Sequence, residues 1–151
     1  YGISTIETKV FEATEAIKNG ASEIDLQVNV GMLKSGDYSY IEKEIKAVVA
    51  STKGRALIKV VVDTGILNDD EKVKAGIIAG MAGADCIKVA AGFKAEGVTI
   101  EDVRLMSRVA DGSMGIKADG GIKDHRTAMM MVAAGATRIG ASSSVKIVTG
   151  K

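Results

Sequence analysis

Cysteine and histidine occur once each in these 151 residues, tryptophan and proline not at all, and aromatic residues make up only 3%. A single cysteine excludes an intramolecular disulfide and fits a reducing compartment. One histidine beside one cysteine leaves too few ligands for a catalytic zinc site, so neither a metal nor a cofactor is expected. Without tryptophan there is no evident stacking platform for nucleic-acid bases. A net charge of +1 gives no electrostatic footprint for nucleic acid either. No apolar run approaches the length of a membrane span and no signal peptide is recognised, so a cytoplasmic protein without membrane partners is expected. Glycine, by contrast, occurs 18 times. It falls at regular joints rather than in a low-complexity tract, so disorder does not explain it.

Charge is present where it should be scarce. Lys59 lies within Ala56-Leu57-Ile58-Lys59-Val60-Val61-Val62, Lys88 within Asp85-Cys86-Ile87-Lys88-Val89-Ala90, and Lys117 within Met114-Gly115-Ile116-Lys117-Ala118. Parallel strands covered on both faces read as unbroken apolar runs. A buried ammonium costs more in lost hydration than its methylenes gain. Lysines in such runs are anomalous unless the protein uses them, and burial or a neighbouring cation produces the free amine that Schiff-base chemistry needs. The alternative for Lys88 is a side chain snorkelling from a strand end.

Three segments echo one another: Asn19-Gly20-Ala21-Ser22-Glu23-Ile24-Asp25, Ala82-Gly83-Ala84-Asp85-Cys86-Ile87-Lys88 and Ala134-Gly135-Ala136-Thr137-Arg138-Ile139-Gly140. Each reads as a helix stopped by glycine and followed by a strand. Five strands are predicted, centred near Leu26, Val60, Lys88, Lys117 and Ile139, at spacings of 34, 28, 29 and 22 residues. Helical patterns fill the gaps. Ser4-Thr5-Ile6-Glu7 has capping-box spacing before an apolar face of Ile6, Val10, Ala13 and Ile17. Residues 38–51 carry Ile41, Ile45, Val48 and Val49; residues 68–81 open with Asn68 and Glu71 and are expected to bury Val73, Ile77 and Met81. Further helices are predicted over 99–109 and 124–134.

This rhythm predicts a parallel α/β fold. Polar residues inside the strands (Asp25, Gln27 and Asn29 as well as the three lysines) favour a (β/α)8 barrel over an open sheet, because side chains can converge on a barrel axis. Eight strands close such a barrel and five are found. The expectation is therefore a single domain over 1–151 that forms the C-terminal part of a TIM barrel, about five βα units, with the first three strands absent.

Glu7-Thr8-Lys9-Val10-Phe11-Glu12-Ala13, Glu23-Ile24-Asp25, Leu57-Ile58-Lys59-Val60, Ile87-Lys88, Lys117-Ala118-Asp119-Gly120-Gly121-Ile122 and Arg138-Ile139-Gly140-Ala141-Ser142-Ser143 occur in that order. Together they resemble deoxyribose-phosphate aldolases along essentially the whole chain. The resemblance implies a class I aldolase of deoxyribonucleotide catabolism, without a cofactor, cleaving 2-deoxy-D-ribose 5-phosphate to acetaldehyde and D-glyceraldehyde 3-phosphate. It makes Lys88 the Schiff-base lysine and Lys117 the second lysine, whose like charge would lower the pKa of Lys88. It makes Asp25 a proton relay. Lys59 is expected to be a structural partner of the carboxylates.

Gly120, Gly121, Gly140, Ser142 and Ser143 follow two consecutive strands and are expected to bind the substrate phosphate, with Gly92 closing the same pocket. His125 is expected at the surface of a first helical turn. Cys86 is expected to be a small buried hydrophobe, and Met129-Met130-Met131 to pack under the last helix. A small phosphorylated sugar or aldehyde is the expected partner, within a homo-oligomer.

The chain departs from the family pattern in three places. Val89-Ala90-Ala91 replaces a run of hydroxyl residues, Asp119 replaces a small neutral one, and Asp63 stands where glutamate is commoner. These departures motivate an alternative from another class, a catalytically impaired phosphosugar-binding or assembly protein on the same fold. A phosphate-binding isomerase is a third reading, but it does not explain the lysine pair.

Overall fold

The computed structural model describes residues 1–52, 54–92 and 97–150. Helices and strands alternate from the first element onward. They are α1 (Ile6–Lys18), β1 (Glu23–Gln27), α2 (Val30–Lys34), α3 (Tyr38–Thr52), β2 (Leu57–Asp63), α4 (Asp69–Met81), β3 (Cys86–Ala90), α5 (Ile100–Ala110), β4 (Gly115–Asp119), α6 (His125–Ala133), β5 (Arg138–Gly140) and α7 (Ser144–Thr149). The strands form one parallel sheet in the order β1-β2-β3-β4-β5. Strands are thus neighbours in space in the order they occur in sequence, as in a (β/α) barrel and unlike a doubly wound sheet, whose order reverses. All five predicted strands are present.

The sheet curls. Arg138 on the last strand is ion-paired with Glu23 on the first, and Lys117 of β4 approaches Asp25 of β1 to 3.6 Å. Strand twist bends the sheet into an arc whose concave face is the inner wall of a barrel segment.

Side-chain alternation sorts the two faces. Leu26, Ile58, Val60, Val62, Ile87, Val89, Ile116 and Ala118 are buried on the convex side against the helices and form the core with Ile41, Ile45, Val48, Val103 and Met106. The concave side carries Glu23, Asp25, Lys59, Lys88, Lys117, Asp119 and Arg138. The apolar runs are apolar because of the helix-facing positions, and the lysines interrupt them at alternate residues.

Local signals act with small shifts. Thr5, not Ser4, caps α1 by accepting from the backbone N–H of Thr8. Asn68 and Glu71 form a full capping box at the start of α4. The buried face of α4 differs from the expected one: Ile77 and Met81 are exposed, while Ala75, Gly76, Ile78 and Ala79 are buried. Small residues win because the helix lies close to its neighbours. A Cβ at Gly76 would meet Val109 Cγ1 at 2.7 Å. In α6, only Met131 of the methionine run is buried, and Met129 and Met130 are exposed. The short helices α2 and α7 were not anticipated.

Candidate active site

Register brings the two central lysines together. Lys88 of β3 pairs with Lys117 of β4, and Asp25 of β1 pairs with Lys59 of β2 one layer below. Parallel strands in phase put the side chains of each layer on the same face, so these groups converge on the concave wall. The Lys88 Nζ donates to Asp25 Oδ2 at 2.8 Å and lies 2.6 Å from Asp119 Oδ2. Lys59 Nζ donates to Asp25 Oδ1 at 2.7 Å and reaches Glu23 at 2.9 Å. Lys117 Nζ stands farther off, 3.6 Å from Asp25 and 3.8 Å from Asp119. Lys59 is buried, whereas Lys88 and Lys117 are partly open to solvent. Lys59 thus occupies the place of a structural partner to the carboxylates, and Lys88 and Lys117 remain within reach of a small molecule.

The electrostatics follow from these contacts. Burial alone would raise the Asp25 carboxyl, but hydrogen bonds from Lys59 and Lys88 outweigh it and hold Asp25 down at about 2. Arg138 and Lys59 likewise hold Glu23 at about 2. Burial would lower Lys88, yet its bonds to Asp119 and Asp25 prevail and move it above the ordinary 10.5. Lys59 moves up in the same way, against its burial, through Asp25 and Glu23. The Lys88 shift is opposite to the expected lowering by Lys117. In this arrangement the carboxylates outweigh the like charge.

Beyond the ends of β4 and β5 lies a hollow of about 150 Å³ lined by Asp119, Gly120, Gly121, Ile122, Lys123, Gly140, Ala141, Ser142 and Ser143. Gly120 and Gly121 have φ of +110° and +77°, a left-handed turn that L side chains rarely adopt, and this turn shapes one wall. Five of the residues expected to bind phosphate therefore line a single concavity beside the lysines. Gly92 is not among the residues lining this hollow; a Cβ there would meet the Asp63 carboxylate at 2.3 Å. A larger hollow of about 390 Å³ lies beside β1 and takes in Lys9, Glu23, Asp25 and Gln27, along the unpaired edge of the sheet.

Two departures from the family pattern change meaning in three dimensions. Val89 and Ala91 are buried, Val89 on the helix side of β3, and alternation leaves only Ala90 on the lysine face. One hydroxyl position next to the lysines is lost, not three. Asp119 does line the expected phosphate hollow, but its carboxylate also contacts Lys88.

Lys123, Glu23 and Arg138 were missed as parts of this wall. Lys123 follows directly on the Gly120-Gly121-Ile122 string, but nothing in the sequence says that it lines the hollow. Glu23 and Arg138 meet only because the arc brings its two ends together. His125 is exposed, with Nδ1 3.2 Å from the Ile147 carbonyl oxygen, away from the lysine cluster. Cys86 is only partly buried. It lines a separate hollow with Lys59, Gly115 and Arg138, and burial raises its thiol pKa.

The deoxyribose-phosphate aldolase of Enterococcus faecalis is 48% identical over 149 residues, covering 99% of this chain and 68% of the relative. The corresponding enzyme of Caldanaerobacter subterraneus is 52% identical, covering 97% of this chain and 64% of the relative. The chain thus spans about two thirds of the length of these relatives. Among solved structures, QR15, an aldolase, superposes with a TM-score of 0.92 at 42% identity, over 99% of this chain and 67% of that one. The deoxyribose phosphate aldolase of Aeropyrum pernix, described as a unique tetramer, gives 0.85 at 29% identity, over 97% and 62%. The five-stranded arc is accordingly part of a (β/α) barrel. The DeoC/LacD aldolase family model matches residues 2–149, and the chain belongs to that family.

Proposed function

We propose that the concave wall is the Schiff-base site of a class I aldolase that cleaves 2-deoxy-D-ribose 5-phosphate to acetaldehyde and D-glyceraldehyde 3-phosphate. The observation that carries this reading is the convergence of Lys88, Lys117 and Asp25 at 2.8 and 3.6 Å contacts, from three strands, beside a glycine- and serine-lined hollow. Lys88 is the nucleophile. Its free amine attacks the substrate carbonyl, a carbinolamine forms, water leaves, and the resulting iminium accepts the electron pair of the breaking carbon–carbon bond. Asp25 relays protons in the carbinolamine steps, from a position fixed by Lys59. Lys117 supplies positive charge next to the reacting nitrogen. Gly120, Gly121, Gly140, Ser142 and Ser143, with Lys123, hold the phosphate through N–H, hydroxyl and ammonium groups.

Among the described residues no helix is long and apolar enough to cross a membrane. We place the protein in the cytoplasm, in deoxyribonucleotide breakdown, as a homo-oligomer. The tetramer of the Aeropyrum relative supports the last point.

Borohydride trapping with acetaldehyde, followed by mass mapping, tests the reading. An ethyl adduct on Lys88, lost in Lys88→Leu, is the expected result. An adduct on Lys117 instead would reverse the roles of the two lysines.

A further inference from the structure

The Lys88 ammonium is clamped from both sides. Asp25 reaches it from β1 and Asp119 from β4, at 2.8 and 2.6 Å. We infer that Asp119 is a positioning residue that locks Lys88 in its protonated, non-nucleophilic form and thereby moves the working range of this site toward alkaline pH. This rests on the reading of Lys88 as the Schiff-base nucleophile.

Sharing the Lys88 face of the sheet among the described residues are Glu23 and Asp25 from β1, Lys59 and Asp63 from β2, Lys117 and Asp119 from β4, and Arg138 from β5. Cys86 shares the Lys88 strand. Asp63 is turned to the backbone N–H of Gly65, and Glu23 is taken by Lys59 and Arg138. Asp25 and Asp119 are left to balance Lys88 and Lys117, with Lys59 also drawing on Asp25.

Without the Asp119 charge, Lys88 and Lys117 would be left with Asp25 alone, a carboxylate on which Lys59 draws as well as on Glu23. Like-charge repulsion then favours release of a proton from one of them. Lys88, partly exposed and within reach of Lys117, is placed to be that one. With Asp119 present, the repulsion is neutralised and the lone pair needed for attack stays occupied by a proton.

Gly140 leaves room for the carboxylate in that position: a Cβ there would meet Asp119 Oδ1 at 2.5 Å. Burial alone would pull the Lys88 amine down, but the bond to Asp119, with that to Asp25, outweighs it and moves Lys88 up.

Competitive acetylation of the amines, with Lys88 followed by mass mapping, reads its free-amine fraction without requiring catalysis. It would be run from about pH 6 to about pH 10, approaching the ordinary lysine range, alongside acetaldehyde trapping. Asp119→Asn keeps the shape and removes the charge. Gly140→Ala keeps the charge and displaces the carboxylate, and with it Lys117 Cε, which the new Cβ would meet at 3.0 Å.

In either variant, labelling of Lys88 near pH 8 should rise about three- to tenfold, as for loss of one partly screened ionic partner, and trapping should rise with it. Unchanged Lys88 labelling in a folded Asp119→Asn protein would overturn the lock, even if trapping on Lys88 proceeds. Raised labelling with no adduct on Lys88 at any pH would uphold the contact and overturn the aldolase reading instead.

Discussion

Glu44 is fully buried, and its charge is matched atom by atom. Lys9 donates to Glu44 Oε1 at 2.6 Å and to the carbonyls of Gly2 and Gln27, while Glu44 Oε2 accepts from the Asn29 backbone at 3.0 Å. One pair of side chains thus ties α1, α3 and the end of β1 together. Removing one partner strands the other charge away from water. Glu44→Ala should cost about 3–5 kcal/mol, read as a lower urea midpoint. Lys9 was visible only as part of a recognised string, and Glu44 drew no notice, because a helix pattern cannot tell a buried carboxylate from a solvated one.

The helix α4 shows how an element can be legible at its start and misread along its face. Its capping box needs only residues three apart and was visible in the sequence. Asn68→Ala should destabilise by about 1 kcal/mol, with thermal denaturation as the check. Its buried face runs through Ala75, Gly76 and Ala79, since close approach to α5 selects small residues over large ones. Gly76→Val should cost about 1–3 kcal/mol or more from overpacking against Val109 and Ile87, measurable by the same denaturation. The reverse experiment, Met81→Lys at a position 68% exposed, should change stability by less than about 0.5 kcal/mol. Periodicity finds a face, but the distance between helices decides which residues occupy it.

Across the whole arc, folding depends on a charged inner wall that joins all five strands. Asp25 is moved from an ordinary 3.8 to about 2, and Glu23 from 4.5 to about 2. Because the folded values are depressed, their stabilisation is present above the unfolded values and is lost as pH falls from about 4 to about 2. Wild-type stability should drop through that window. Asp25→Asn should already be less stable at neutral pH, and the gap between the two proteins should close on acidification, followed by urea melts at stepped pH. The lysines act in the opposite direction. Lys59 and Lys88 are raised, so their contribution is complete below about 10.5 and declines only as pH climbs beyond it.

The sequence by itself determined the number and order of the strands, the glycine stops, the capping box of α4 and the anomaly of lysines within apolar runs. These are local properties, written in spacings of two to four residues and in the fixed hand of the chain. Its family strings also pointed to Lys88, Lys117 and Asp25 before any distance was known. Tertiary structure alone decided which side of β3 its altered residues face, that Glu23 meets Arg138 across 115 positions, and that Asp119 grips Lys88 from the neighbouring strand. Those outcomes depend on register and curvature. Both are set by the packing of every helix on the convex face, and a linear string carries no local trace of them.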